Sequence, residues 1–203
     1  MINKKTYNNE TEEKQRISDE KYEMSVFRPP ISNKYPLMTV SLFQVYQAVH
    51  TRRFAPETEA LRAIQDEDAQ RQYKQNHLHY VTPGGVFAYC NDKSLVKPSN
   101  ILCMDLDHLD NVDGMKQRLL DDPHFDTLLL FRSPRGQGLK WFLEVDLQRC
   151  DYKTWFTAVR NYLMATYGVN GKQVDPVVGH ISAGCFLCYD PDAYLKTELI
   201  KIF

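Results

Sequence analysis

Residues 1 to about 23 are polar and charged with almost no apolar periodicity, whereas from residue 100 apolar runs and helical periodicities alternate. Ile101 to Leu106 is apolar except for Asp105 and reads as a buried strand reaching about residue 107. Val112, Met115, Leu119 and Leu120 predict a helix over roughly 112–121. Asp126 to Phe131 predicts a second strand, Ser133-Pro134-Arg135-Gly136-Gln137-Gly138 a tight turn, and Leu139 to Val145 a third strand. Trp155, Phe156, Val159, Tyr162, Leu163 and Tyr167 recur at helical spacing over about 151–167, and Gly168 ends that helix. A loop passes through Val174-Asp175-Pro176, and Cys185 to Cys188 predicts a fourth strand, stopped by Asp190-Pro191. The order β-α-β-β-α-β predicts an α+β chain with a ferredoxin-like sheet, its strands in the spatial order four-one-three-two with antiparallel neighbours.

Before residue 99 the pattern is looser. Residues 1–23 read as a disordered tail, and 24–98 as a smaller helical and β-hairpin subdomain joined to the 99–203 unit in one compact body. Val26 to Pro36, with Pro29-Pro30 and Pro36, is extended or looped. Thr39 or Ser41 can cap a helix carrying Leu42, Val45, Tyr46 and Val49. Pro56, Glu57 and Glu59 suit the start of a second, highly charged helix carrying Leu61, Ile64 and Tyr73. Leu78 to Val81 and Val86 to Cys90 read as two short strands around Thr82-Pro83-Gly84-Gly85.

Strand alternation sorts the first strand of the C-terminal unit into two faces. Leu102, Met104 and Leu106 share one; Cys103, Asp105 and Asp107 share the other. The predicted topology sets the carboxyl end of this strand beside the amino ends of strands three and four. Leu139, Trp141 and Leu143 then pack under the helices, which leaves Lys140 on the face of the two aspartates. Asp175, in the loop feeding strand four, comes to the same edge. Three carboxylates and a lysine thus converge on the helix-free face. Crowded like charges raise one another's pKa unless a cation sits between them, and Mg²⁺ or Mn²⁺ on oxygen ligands is the simplest such cation. The plain alternative is that the aspartates are solvated at a strand end, or cap the turn at His108 to Asp113.

Such a group next to a glycine turn suits phosphoryl or nucleotidyl transfer. Backbone N–H groups of the Gly136 to Gly138 turn would take phosphate oxygens, and Arg135 and Lys140 would hold the triphosphate. Against this, Arg135 also reads as an exposed turn residue, Lys140 as a surface strand lysine, and Asp175 as a cap for the turn made by Pro176.

Composition narrows the picture little. The net charge of the 203-residue chain is −1, so any nucleic-acid contact needs a local basic patch. No apolar run approaches membrane-spanning length, so no membrane partner is expected. Cys90, Cys103, Cys150, Cys185 and Cys188 are an odd set that suits reduced, buried thiols and a cytoplasmic setting. The lone Cys185-x-x-Cys188 is weak evidence for zinc.

Asp105-x-Asp107, Ser133-Pro-Arg-Gly-Gln-Gly-Leu-Lys140 and Val-Asp175-Pro resemble the three motifs of the archaeo-eukaryotic primase superfamily. The closest likeness is to the primase-polymerase-like domain at the N-terminus of VirE-type proteins of mobile elements. Tyr73-Lys74, Thr82-Pro83-Gly84-Gly85-Val86-Phe87 and Cys185 to Asp192 share in it, so it spans roughly residues 70–195. The resemblance implies metal-dependent primer synthesis or DNA polymerisation in replication of a mobile element, on a sheet of RNA-recognition-motif type. It implies Asp105, Asp107 and Asp175 as catalytic metal ligands with Mg²⁺ or Mn²⁺. It also implies Ser133, Arg135, Gly136, Gly138 and Lys140 at the nucleotide phosphates, with nucleotide triphosphates and single-stranded or primed DNA as partners. The family often carries Asp-x-Ser-Arg before the last strand; here His180-Ile181-Ser182-Ala183 stands in its place, so nucleotide binding is weakened or activity lost. No GxxxxGK[ST] occurs, so the helicase-like ATPase often fused to the family would be a separate partner.

Two rival readings come from other classes. His77-Leu78-His79 on a strand would put both imidazoles on one face, as in HUH-type replication and transfer nucleases, with Tyr152, Tyr162 or Tyr167 as nucleophile. Alternatively the sheet is a non-catalytic single-stranded nucleic-acid-binding module, with Phe142 stacking a base beside Lys140.

Overall fold

A computed structural model describes residues 21–199, so the N-terminal tail up to residue 20 and residues 200–203 lie outside the described residues. In chain order the elements are β1 (Glu23–Phe27), β2 (Met38–Ser41), α1 (Leu42–His50), α2 (Ala55–Ala63), α3 (Glu67–His77), β3 (Tyr80–Thr82), β4 (Gly85–Phe87) and β5 (Leu95–Pro98). They continue with β6 (Ile101–Leu106), α4 (Val112–Leu120), β7 (Thr127–Arg132), β8 (Leu139–Glu144), α5 (Tyr152–Tyr167), β9 (Cys185–Phe186) and β10 (Tyr194–Leu195). The class is α+β with antiparallel sheets. None of the described helices is long and apolar enough to cross a membrane.

The C-terminal sheet has the order β10-β7-β8-β6, so the first three strands stand one-three-two as expected. The fourth does not flank the first as a strand. Past the left-handed cap at Gly168 (φ 71°), the chain pairs with β6 in an isolated antiparallel bridge of Val174 to Leu106 and not in a strand ladder. Pro176 then has no N–H to extend a ladder, and a 3₁₀ turn begins there. Cys185–Phe186 instead pairs with β3, and β10 takes the far edge beside β7.

β9 therefore completes the N-terminal sheet, β2-β1-β3-β9, so the chain after residue 99 builds part of both sheets. β3 and β4 are not partners in a hairpin; β3 lies beside β1, and β4 pairs with β5. The strand Glu23–Phe27 begins within the last residues expected to be a disordered tail, where Tyr22 is also buried, and overlaps the Val26–Pro36 segment expected to be extended or looped only at Val26 and Phe27. Ser41 caps α1 with a capping box: its Oγ accepts from the Gln44 N–H at 3.3 Å, and Gln44 Oε1 accepts from the Ser41 N–H at 2.9 Å. The second charged helix is two helices, broken between Ala63 and Glu67, where Asp66 caps α3 by accepting from the Ala69 N–H at 2.7 Å.

Both faces of the C-terminal sheet are covered. Leu102, Met104, Leu106, Leu139, Trp141 and Leu143 pack with Leu119 of α4 and Phe156, Val159 and Leu163 of α5. The expected helix-free face is buried under the N-terminal sheet and α1: Ile101, Cys103, Phe131 and Phe142 join Met24, Val26, Leu42, Val45 and Val49. Each such side chain contributes about 1.5–3 kcal/mol of burial, so the cover is a core and not a loose lid. All five cysteines are free thiols, as the cysteine pattern predicts, but only Cys103, Cys185 and Cys188 are buried; Cys90 and Cys150 are half-buried.

Candidate functional site

The covering sheet leaves the carboxyl end of β6 as the place where charged groups gather. Asp105 and Lys140 are directly opposed in the β6–β8 ladder and form a salt bridge, Asp105 being 7% and Lys140 5% exposed. The second oxygen of Asp105, Oδ1, is buried with no hydrogen-bond partner.

Three segments clamp this strand end. The Asp175 N–H donates to the Asp105 carbonyl at 3.1 Å and the Asp107 N–H to the Gln173 carbonyl at 2.8 Å. That pairing sets Asp175 opposite Asp105 on one face, with Leu106 and Val174 on the other, inside the helix-side core. The Leu109 N–H donates to the Gln137 carbonyl at 2.9 Å after a left-handed turn at His108 (φ 54°). Gly138 packs so closely that a Cβ there would lie 2.1 Å from the Leu106 carbonyl oxygen. The glycine turn is thus pressed against the strand carrying the aspartates.

The sequence-predicted residues Asp105, Asp107, Asp175, Lys140 and the Ser133–Gly138 turn all come to this end. Their detail differs from expectation. The Gly136 N–H is spent inside the turn, donating to the Ser133 carbonyl at 2.8 Å, and the Ser133 N–H donates to the Gly138 carbonyl at 2.8 Å. Those two amides are not available to a phosphate. Lys140 is a buried partner of Asp105, not a surface lysine. Arg62 of α2 also serves the turn, donating from Nε to the Pro134 carbonyl at 3.0 Å and from Nη2 to the Ser133 carbonyl at 3.3 Å.

Electrostatics tie the groups together. Burial raises the Asp105 carboxyl above its ordinary range, Lys140 opposes this, and Asp107 and Asp175 add to it. Burial works against the Lys140 ammonium, but Asp105 and its neighbours outweigh it and hold the lysine above its usual range. We take the pair as charged, with the proton on Lys140. Lys74 of α3 is a further member. Burial lowers its pKa, Lys140 and Arg135 lower it further, and Asp107 and Asp105 pull it back. Its ammonium also stands 5.3 Å from the Phe186 ring centre. Lys74 is marked in the sequence by the family resemblance alone; a lysine on a highly charged helix carries no sign of being turned inward.

Other expected groupings do not form. His77 is the last residue of α3, exposed and stacked on Tyr73 at 4.3 Å, while His79 lies against Phe54 at 5.6 Å. The two imidazoles do not share a strand face. Tyr162 and Tyr167 donate to the Asp122 carboxylate at 2.8 and 2.5 Å, and Tyr152 is buried beside Cys103. Phe142 is fully buried and presents no ring for a base to stack on. Ser182, in the segment lacking the arginine, is tied to Asp92, its Oγ donating at 2.5 Å and its N–H at 3.1 Å.

Among the described residues no group of three His, Cys, Asp or Glu side chains stands ready as a metal cage. The carboxylates fit an ion on different grounds: Asp105 keeps an unused, buried oxygen, and Mg²⁺ is commonly held by one or two carboxylates with water and substrate phosphates completing the shell.

Comparison with curated proteins and with solved structures gives no match. A family model does match: BT4734-like, N-terminal domain, over residues 72–195, which takes in α3 at Lys74, the whole acidic strand end and the return through β9. With well over half its length under that model, the chain belongs to the BT4734-like N-terminal domain family.

Proposed function

We propose that the chain is a divalent-metal-dependent nucleotidyltransferase of primase-polymerase type, acting in replication of a mobile element on a ferredoxin-like catalytic sheet. The carrying observation is the orphaned, buried Oδ1 of Asp105 beside Asp107 and Asp175, with Lys140, Arg135 and Lys74 close by. An unsatisfied buried carboxylate oxygen is costly unless something binds it. Asp105, Asp107 and Asp175 are the residues that would hold Mg²⁺ or Mn²⁺. Such an ion, when bound, supplies activation of an attacking hydroxyl and neutralisation of phosphate charge. Arg135 and Lys74 take the triphosphate oxygens, and Lys74 provides cationic charge that Ala183 does not. Lys140 keeps Asp105 ionised and aimed. The β6-β8-β7 order and the Val174 bridge at the free edge of β6 support the ferredoxin-like reading.

The test is nucleotide incorporation on a primed template with Mn²⁺, with Asp107→Asn as the comparison and Mn²⁺-dependent nucleotide binding as a second readout. Incorporation by the parent that the variant loses supports the proposal. A parent with neither incorporation nor metal-dependent nucleotide binding overturns it.

A further inference from the structure

Away from the acidic centre, two tyrosines stand out from the surface. Tyr35 is 70% exposed and Tyr89 37%, their ring centres 5.1 Å apart and their planes at 79°. They come from separate loops. The Cys90 N–H donates to the Lys34 carbonyl at 2.9 Å, so the residues next to each tyrosine are fastened together. The Tyr35 N–H donates to Asn33 Oδ1 at 3.2 Å, which fixes the turn that presents its ring. The pair is therefore held by its backbone, not gathered by core packing.

The Tyr35 side of the pair is cationic, whereas the Tyr89 loop carries Asp92, which is taken up by Ser182 and His180, followed by Lys93. The loop from Arg28 to Leu37 contains two cations, Arg28 and Lys34, and no Asp or Glu. Lys34 Nζ lies 5.8 Å from the Tyr80 ring centre, the Tyr80 ring 6.1 Å from Phe186, and Phe186 5.3 Å from Lys74 Nζ. The Tyr80 ring in the middle of this relay is buried, so the relay fixes the spacing of the two lysines beneath the surface; Lys74, at its far end, is electrostatically coupled to Asp105 and Asp107.

We infer that Tyr35, Tyr89, Lys34 and Lys74 form a track for an unpaired nucleic-acid strand, bases stacking at the tyrosine pair and phosphates running past the lysines toward the acidic centre. Stacking on exposed aromatic faces beside cations is how single strands are held without regard to sequence. A duplex keeps its base faces covered, and an acidic peptide has no use for the ring faces. The track itself is read from its own residues; only its direction, toward a site of nucleotidyl transfer, rests on the proposed function.

The test is binding of fluorescein-labelled oligothymidine or oligouridine of about twelve nucleotides, in EDTA and without nucleotide. Removing metal separates this experiment from the one on the acidic centre. The parent binds one or both strands; a preference between them tells whether the track favours deoxyribose or ribose. Tyr35→Ala with Tyr89→Ala weakens binding about tenfold or more, the corresponding double Phe variant stays within about threefold, and Mn²⁺-dependent nucleotide binding persists in both. Absence of strand binding by the parent, equal binding by the double Ala variant, or tighter binding of a hairpin duplex or a polyglutamate peptide overturns the inference, whatever the nucleotide-incorporation result.

Discussion

Asp105 and Lys140 face each other across the β6–β8 ladder, both almost wholly buried, and Lys140 satisfies only one of the two carboxylate oxygens of Asp105. A buried pair of this kind adds little net stability, yet breaking it on one side strands a charge. Lys140→Met should lower the unfolding free energy by about 3–5 kcal/mol. The double variant Asp105→Leu, Lys140→Met should recover most of that loss, while showing no Mn²⁺-dependent nucleotide binding. Urea denaturation of the parent, both single variants and the double variant gives the coupling directly. Additive losses would mean the two groups do not depend on each other.

Asp122 links the end of α4 to α5. It accepts from the Tyr162 hydroxyl and from the His124 and Phe125 N–H groups, each at 2.8 Å, and from the Tyr167 hydroxyl at 2.5 Å. Partial burial works against the carboxylate, but the Tyr167 hydroxyl, the His124 N–H and the other two donors outweigh it, so the folded pKa lies below the ordinary 3.8. The sign follows: the contribution is complete above pH 3.8 and is lost as pH falls through the lower folded value. Asp122→Ala should cost about 2 kcal/mol near neutral pH. The gap between variant and parent should narrow as the pH is taken below 3.8, followed by urea midpoints. A gap that stays constant would show that the charge is not what matters.

Much of the C-terminal half was legible because each element satisfies its own local rule. Asp151 and Gly168 bracket α5, and the alternation in β6 and β8 sorts Leu102, Met104, Trp141 and Leu143 to the helix side. That Lys140 shares a face with Asp105 followed from that parity; that the two stand directly opposite each other is a matter of β6–β8 register, which the sequence does not announce. What was not legible depends on pairing between distant segments. Two residues, Cys185 and Phe186, pair with Tyr80 and Val81 in the other sheet, and no local pattern announces such a choice. The cover over Phe142 was hidden for a related reason: β1 and α1 each have an apolar face, but nothing in their spacing says which sheet it meets. Lys74 illustrates the limit at the site, since its role comes from neighbours supplied by β6, β8 and the glycine turn.

Lys74, Arg135 and Lys140 repel one another, and burial lowers the Lys74 pKa before the other two cations lower it further. A site of that kind is more favourable once an anion enters it. Lys74→Gln should leave thermal stability equal to or slightly above the parent, because it removes repulsion, and should weaken Mn²⁺-dependent nucleotide triphosphate binding by about tenfold, the loss of one charged hydrogen bond. Differential scanning fluorimetry with and without nucleotide reads both effects. A marked loss of stability with unchanged nucleotide affinity would make Lys74 a packing residue.

Gly136 and Gly138 sit two residues apart in the same turn and are required for different reasons. Gly136 has φ 86°, and a Cβ there would meet nothing nearer than Arg62 Nε at 3.5 Å. Gly136→Ala should therefore cost about 1–2 kcal/mol of backbone strain and leave the turn in place. At Gly138 the obstacle is the Leu106 carbonyl oxygen, 2.1 Å from an added Cβ, and backbone cannot swing aside as a side chain can. Gly138→Ala should cost about 1–3 kcal/mol and push the turn, with Arg135, away from the end of β6. The two variants are thus matched in stability and opposed in function. Mn²⁺-dependent nucleotide binding should survive in Gly136→Ala and fall about tenfold or more in Gly138→Ala, where the displaced turn no longer brings Arg135 to the phosphates. Equal binding by both would show that the close approach of turn to strand serves the fold alone.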